Sequence, residues 1–265
     1  TSDPWMQQSD DFKLDYDPTF LAPKILDYQA AKTDTERAEV LKDSDKKNLI
    51  FIPYNNIIKT KKILNSKKKK INCIIIEPVM GCFPNDDAKL YLKFLEKYCL
   101  QNNINLIFDE IITGFRSSMG SVQRKYNIKP DITLIGKALG GGLPIGAIGI
   151  SEKIYKKINK LEKVIFFGGT FSANTLSTFI GNKIISYVKN NKNLINQLIS
   201  NSKYFEDKIN LYIKKKNLDA KIYRFDSILR IVFSSKKINN RIQRDFLEKE
   251  KDKSKKQFNK YLFKK

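Results

Sequence analysis

Short apolar runs alternate with amphipathic helical patterns through the middle of this chain, and this alternation limits the fold more than any other feature. Four runs have the length and composition of buried strands, at residues 72–76, 105–108, 132–135 and 147–150. After the first run, apolar side chains recur at helical spacing: Tyr91, Leu92, Leu95, Tyr98 and Cys99. The pattern predicts an α/β fold with a mostly parallel sheet that is covered on both faces.

The pattern changes after residue 190 and predicts a second, smaller unit. A long helix is expected over residues 194–214, followed by strands at 221–225 and 228–233 that are joined at Asp226-Ser227. A charged helix is expected from Arg241 onward, and a short helix is also expected at 33–41. We therefore expect part of a large domain over residues 1–190 and part of a small α+β C-terminal domain over 191–265.

The composition excludes several classes of site. The chain has a net charge of +22 and contains no histidine, so it cannot form a Ser-His-Asp triad, a Cys-His pair or a histidine-ligated zinc site. The charge is compatible with a polyanion partner, but aromatic residues do not alternate with the basic ones, and we expect no nucleic acid partner. Three cysteines without metal or redox spacing indicate reduced thiols and no metal.

The same features bear on location. No apolar run is long enough to span a bilayer, and the acidic, polar first residues do not form a secretory signal. We therefore expect a cytoplasmic protein with no membrane partner.

Asp109 and Lys137 are the candidate chemical groups. Asp109 directly follows the apolar run ending at Phe108, and Lys137 follows the run ending at Gly136. In open α/β sheets, ligands bind at the carboxyl ends of the strands. Taken alone, Asp109 could equally be a helix cap or a surface residue, and Lys137 could be a solvated lysine. Their separation of 28 residues matches one strand–helix–strand unit.

The surroundings of Lys137 favour a functional role. Apolar residues and the glycines 140–142 follow it, and burial among them would lower the pKa of the amine and make it a nucleophile. The glycines would also let the backbone approach a bulky ligand. A phosphate-binding Walker loop requires the lysine after the glycines, and the dinucleotide-binding GxGxxG spacing is absent.

A nucleophilic amine and a carboxylate are the two groups that pyridoxal 5'-phosphate (PLP) requires. The lysine forms a Schiff base with the cofactor aldehyde, and the carboxylate keeps the pyridine nitrogen protonated so that the ring accepts electrons. Hydroxyl and N–H groups around Thr170, just before a predicted helix, could bind the phosphate. An ordinary helix N-cap is the alternative explanation for Thr170.

Four segments resemble the class III aminotransferases of fold type I, and within them the glutamate-1-semialdehyde 2,1-aminomutase branch. They are IIIEPVMG (74–81), LIFDEIITGFR (106–116), KPDITLIGKALGGGLPIGAIG (129–149) and GGTFSANTLS (168–177). Many class III transaminases have glutamine three residues after the aspartate. This chain has Ile112 there, which is similar to the aminomutase branch.

The resemblance implies a role for each candidate residue. Asp109 would be the partner of the pyridine nitrogen, and Lys137 would be the catalytic lysine of the Schiff base. Thr170 would bind the phosphate of the neighbouring subunit's cofactor, which implies a homodimer. Glu110 and Arg116 would support the cofactor-binding residues without contacting the cofactor themselves. The substrate would be a small amino or keto compound.

Some family features are not found in the sequence. Residues 1–50 contain neither the small-residue phosphate loop nor the aromatic residue that stacks on the pyridine, so we expect an internal fragment of a longer protein. Ala173 and Thr175 stand where glycine and proline are common. The resemblance implies PLP-dependent amino-group transfer of the aminomutase type. The alternatives are a transaminase for another substrate, such as an amino sugar or an ω-amine, and a catalytically inactive structural relative.

Overall fold

The computed structural model of the chain describes residues 49–84, 88–119, 121–160, 172–238 and 241–250. The described residues from Ile52 onward form one compact unit, and residues 49–51 belong to another. The helix expected at 33–41 and the position of Thr170 lie outside the described residues. The domain boundary near residue 190 stays a prediction.

The first half of the compact unit alternates helices and strands as the apolar pattern predicted. Its elements are α1 (Ile57–Lys67), a 3₁₀ turn (Lys68–Lys70), β1 (Cys73–Ile76), α2 (Lys89–Asn102), β2 (Asn105–Asp109), α3 (Ser121–Tyr126), β3 (Ile132–Gly136), a second 3₁₀ turn (Lys137–Gly140) and β4 (Gly146–Ile150). Asn56 caps α1, because its side-chain oxygen accepts a hydrogen bond from the Lys59 amide at 3.0 Å.

The second half contains more helix and one hairpin. Its elements are α4 (Glu152–Ile158), α5 (Thr175–Asn190), α6 (Leu194–Lys215), β5 (Lys221–Phe225), β6 (Ile228–Val232) and α7 (Arg241–Glu250). The two strands are antiparallel, with Phe225 paired to Ile228 across the turn. The predicted hairpin and its turn at Asp226-Ser227 are therefore confirmed.

The main sheet has the order β1-β2-β3-β4. The β1–β2 and β2–β3 pairs are parallel, whereas β3 and β4 are antiparallel. Because the three parallel strands run in one direction, their carboxyl ends meet at one edge of the sheet. The predicted mostly parallel α/β sheet is thus confirmed, with β4 as its antiparallel strand.

The core lies between one face of this sheet and helix α2. The five α2 residues predicted to form an apolar face are all buried. They pack with Leu106 and Phe108 of β2, with Val122 and Tyr126 of α3, and with Phe225 and Ile228 at the tip of the β5–β6 hairpin. The hairpin therefore shares the main core with the sheet.

The opposite face of the sheet is open to solvent among the described residues. Strand pairing places Ile75, Ile107, Ile132 and Ile150 in one row across the four strands. Ile75 is 60% exposed, and Ile148 of the adjoining row is 61% exposed. The expectation of a sheet covered on both faces is not met here.

Candidate active site

Asp109 and Lys137 lie at the same edge of the main sheet. Asp109 is the last residue of β2, and Lys137 directly follows β3, the parallel neighbour of β2. Asp109 pairs with Leu134, so Lys137 lies three residues further along the chain. At about 3.3 Å per residue, this offset is roughly 10 Å along the strand direction, and the neighbouring strands lie about 4.8 Å apart. A carboxylate and an amine so placed can flank one aromatic ring.

The Asp109 carboxylate is held by its own chain. Its Oδ1 accepts a hydrogen bond from the backbone amide of Ile111 at 3.1 Å. Among the described residues, no hydrogen bond engages the other oxygen, Oδ2. The side chain is half-buried. The carboxylate is therefore oriented by one oxygen, while the other can accept a hydrogen bond from a ligand.

Lys137 has an unusual backbone conformation. Its φ is +45°, in the left-handed region that residues with a Cβ rarely adopt. The following residues up to Gly140 form a 3₁₀ turn rather than continuing the strand. Left-handed backbone at a non-glycine residue concentrates at functional sites, where the surrounding structure maintains it. This geometry agrees with a functional lysine at the strand end.

The expectation that Lys137 is buried is wrong for the described residues. Its side chain is exposed, because it stands at the edge of a sheet whose outer strand, β4, is exposed along its whole length. Among the described residues, no carboxylate forms an ion pair with it. The amine is thus accessible to a ligand.

The glycines after Lys137 serve local packing more directly than ligand approach. Gly141 has a φ of +56°, and a Cβ there would lie 3.2 Å from the Ile180 side chain of α5. A Cβ on Gly140 would lie 2.9 Å from the Ile145 side chain. At Gly142, with a φ of +106°, the surrounding space is open. The glycine run therefore lets the turn after Lys137 form and lets α5 approach it closely.

Glu110 is a fully buried carboxylate that ties the chain after β2 to helix α3. It accepts hydrogen bonds from the amides of Val122 at 3.0 Å and Gln123 at 2.9 Å, and from the Thr113 hydroxyl. Burial raises the pKa of the Glu110 carboxyl, and these three hydrogen bonds oppose that rise. The side chain thus bridges both ends of the segment between β2 and α3.

Arg116 closes the same segment. Its guanidinium donates to the carbonyl of Ile112, and burial lowers the pKa of the guanidinium. Its own carbonyl accepts hydrogen bonds from the hydroxyl of Ser227 at 2.8 Å and from the Ser227 amide at 3.4 Å. In the structure, Arg116 therefore shapes the chain after Asp109, and it links that chain to the hairpin.

The loop after β1 is a further part of this edge, for which the sequence motifs predicted no role. Glu77 follows β1 as Asp109 ends β2, and its Oε2 accepts a hydrogen bond from the Gly81 amide at 3.1 Å. The Tyr54 hydroxyl donates to the Pro78 carbonyl at 3.0 Å. A Cβ on Gly81 would lie 2.5 Å from Cδ1 of Ile112. The loops after β1 and β2 are therefore in direct contact. In the sequence, the acidic residue Glu77 directly after β1 was the feature that could have indicated this part of the site.

The predicted phosphate site is described only in part. Thr170 lies outside the described residues, and its role stays a prediction. Asn174 caps α5 by accepting a hydrogen bond from the Ser177 amide at 3.1 Å.

Across the described part of the chain, no group of histidine, cysteine and acidic residues could hold a metal ion. No described helix is both long and apolar enough to cross a membrane.

Solved structures share this fold. An ω-transaminase from Sphaerobacter thermophilus aligns with a TM-score of 0.64 at 22% identity, covering 70% of this chain and 42% of that protein. A glutamate-1-semialdehyde aminomutase from Pseudomonas aeruginosa PAO1 aligns with a TM-score of 0.62 at 17% identity, covering 74% and 45%. The chain thus has the fold of the aminotransferases, as predicted.

Sequence comparison identifies the family. The family model described as aminotransferase class-III matches residues 14–253, and the chain belongs to this family. Glutamate-1-semialdehyde 2,1-aminomutase of Methanococcus maripaludis is 38% identical over 196 residues, which are 72% of this chain and 44% of the relative. The chain therefore spans less than half the length of the curated relatives it matches. The resemblance stated from the motifs is confirmed at the level of the family.

Proposed function

We propose that this chain takes part in PLP-dependent amino-group transfer, with Lys137 as the catalytic lysine. The observation that carries the proposal is the position of Lys137 and Asp109 at the carboxyl ends of adjacent parallel strands, in a chain of the class III family. When bound, PLP supplies an aldehyde and an electron-accepting ring.

Each described residue has a task that its geometry supports, whereas the task of Thr170 rests on the resemblance alone. The exposed amine of Lys137 would hold the cofactor through its aldehyde and, when free, would move protons to and from the substrate. Asp109, whose Oδ1 accepts a hydrogen bond from the Ile111 amide, would hold the protonated pyridine nitrogen with its other oxygen. Glu110 and Arg116 hold the chain that carries Asp109. Thr170 binds the phosphate of a neighbouring subunit's cofactor, which makes the active protein a homodimer.

The glutamate-1-semialdehyde 2,1-aminomutase type is the preferred activity. It is supported by the names of the sequence relatives and by Ile112, which contacts the loop after β1 where many class III transaminases have glutamine. A transaminase for another small amino or keto substrate is the second candidate. The ω-transaminases among the structural neighbours support it only through the shared fold.

Labelling tests the cofactor assignment in this lysine-rich chain. Borohydride reduction after incubation with PLP should fix one cofactor on the peptide that contains Lys137. The label should disappear in Lys137→Ala and persist in Lys157→Ala, a control lysine that is exposed on α4. Label scattered over many lysines, with no loss in Lys137→Ala, would overturn the proposal.

Substrate dependence separates the two activities. An aminomutase moves the amino group of glutamate-1-semialdehyde from carbon 2 to carbon 1 and needs no second amino donor. A transaminase turns over only when both an amino donor and a keto acceptor are present. Turnover that strictly requires the second compound would contradict the aminomutase assignment and leave the Lys137 assignment intact.

A further inference from the structure

The turn of the β5–β6 hairpin holds the chain that follows Asp109. Ser227 contributes two hydrogen bonds to the Arg116 carbonyl, from its hydroxyl at 2.8 Å and from its amide at 3.4 Å. The Lys125 ammonium on α3 donates hydrogen bonds to both carboxylate oxygens of Asp226, at 2.6 Å to Oδ1 and 2.7 Å to Oδ2. The sequence separations are 111 and 101 residues, so these are true tertiary contacts.

The turn is itself firmly anchored. Phe225 and Ile228, on either side of it, are buried in the main core. The Phe225 ring packs edge-on against Tyr126 at 6.2 Å between centroids, and the Lys125 ammonium lies 4.6 Å from its centre. Asp226 adopts a φ of +50°, and its carbonyl accepts a hydrogen bond from Arg224 at 2.8 Å. A fixed turn can therefore transmit its position to the residues that it contacts.

A series of overlapping hydrogen-bonded turns lies between this hairpin turn and the Asp109 carboxylate. The segment Asp109–Arg116, here called the carboxylate segment, is a succession of tight turns. The Ile111 amide donates to Asp109 Oδ1, the Gly114 amide to the Glu110 carbonyl at 2.7 Å, and the Arg116 amide to the Thr113 carbonyl at 3.1 Å. Ser227 then holds the last carbonyl of the segment.

A second connection runs through α3. Glu110 binds the amides of Val122 and Gln123 at the start of this helix, and Lys125 at its end pairs with Asp226. The Lys125–Asp226 pair is partly buried, with 32% and 10% of the side chains exposed, so solvent screens it less than an exposed pair. Two points of the chain between β2 and β3, Arg116 and Lys125, are thus held by one hairpin turn.

We propose that Asp226 and Ser227 are positioning residues of the active site, which act by fixing the carboxylate segment so that Asp109 meets the pyridine nitrogen of PLP. This proposal rests on the proposed function of Asp109. The hairpin belongs to the C-terminal part of the chain, which the sequence assigned to another domain. Through this turn, that part of the chain sets the geometry of a group on the main sheet.

Hydrogen exchange tests the mechanical part without any cofactor. In Asp226→Asn and Ser227→Ala, amides of the peptides covering residues 109–123 should exchange several-fold faster than in the wild type. Asp207→Asn is the matched control, because Asp207 pairs with Lys203 at 2.8 Å on the exposed face of α6. Exchange that is unchanged in both turn variants overturns the proposal, and Ser227→Ala keeps the test available if Asp226→Asn does not fold.

Cofactor binding tests the chemical part. The probes are PLP and an analogue in which carbon replaces the pyridine nitrogen, so that only PLP can use Asp109. Asp109→Asn should lose about tenfold or more of its affinity for PLP relative to the analogue. In Asp226→Asn and Ser227→Ala, the affinity for PLP relative to the analogue should fall about three- to tenfold, and Asp207→Asn should not change this ratio.

The outcomes separate the two proposals. If Asp109→Asn changes both affinities equally, the proposed role of Asp109 is wrong. If Asp109→Asn discriminates between the probes but the turn variants weaken both equally, the turn has only a general structural role and the positioning proposal is wrong. Failure of the wild type to bind PLP overturns the proposed function of the chain, and the exchange experiment then decides whether the turn fixes the segment.

Discussion

Glu110 shows how burial and hydrogen bonding compete at a single carboxylate. Its side chain has no exposed surface, and desolvation raises its pKa even though three donors surround it. The sequence pointed to Glu110 only through the family motif. Its contacts with Val122 and Gln123 lie 12 and 13 residues away, and no local pattern of residues reports such partners.

Substitution of Glu110 should give a pH-dependent loss of stability. Glu110→Gln removes one acceptor from the amides of α3, and we expect a loss of about 1–3 kcal/mol in the free energy of unfolding. Because the folded pKa is raised above its ordinary value of 4.5, Glu110 stabilises the fold most below that value, and this contribution falls as pH rises through the folded pKa. The difference between wild type and variant should therefore shrink from pH 4 to neutral pH.

Urea unfolding of both proteins across that pH range measures this difference. Thr60→Val serves as a control, because Thr60 is equally buried but carries no titrating group. A difference that grows with pH would show that the carboxyl pKa is lowered in the fold.

Gly81 is required by a close approach rather than by its own backbone. A Cβ there would lie 2.5 Å from Cδ1 and 3.0 Å from Cγ2 of Ile112. Gly81→Ala should destabilise the protein by about 1–3 kcal/mol, because Ile112 must move. The double variant Gly81→Ala, Ile112→Val removes Cδ1 and should recover part of the loss. Thermal unfolding of the four proteins in a double-mutant cycle measures the coupling, and purely additive effects would contradict the contact.

At the scale of the elements, the apolar periodicity of α2 determined its buried face. Leu95 has no exposed surface, whereas Leu100 on the same helix is 80% exposed. Leu95→Ala should cost about 2–5 kcal/mol in unfolding free energy, because it removes buried methyl groups and leaves a cavity. Leu100→Ala should change stability by less than about 0.5 kcal/mol. Equal losses in chemical denaturation would show that α2 packs by a different face.

The 3.6-residue period identified this helix because one side of it must be buried. The strands were identified because they are short, nearly continuous apolar runs, although one face of the sheet is open among the described residues. The antiparallel direction of β4 was not predicted, because strand direction depends on the path of the connecting chain and not on the composition of the strand. The glycines 140–142 were assigned to ligand approach, and the contact with α5 that explains Gly141 is a long-range one.

At the scale of the whole molecule, the open sheet face has a measurable consequence. The side chains of Ile75 and Ile148 are more than half exposed and extend one apolar surface across the sheet. The protein should bind the dye ANS, because the dye binds to exposed apolar surface. A continuous apolar surface of this kind is uncommon on stable monomers. Ile75→Thr combined with Ile148→Thr should reduce the fluorescence of bound dye at least about twofold. Leu90→Thr, which changes a single exposed leucine on α2, should have little effect.

The sequence by itself determined the alternation of strands and helices, the buried face of α2, the hairpin with its turn, and the positions of Asp109 and Lys137 at strand ends. These features depend on local periodicity and on residue type at strand ends, which a linear sequence records directly. Only the tertiary structure decided that Lys137 is exposed with a left-handed backbone, that Glu110 binds the start of α3, and that Ser227 holds the chain after Asp109. These features depend on contacts between distant residues, and the sequence alone does not state which distant groups the packing of the core brings together.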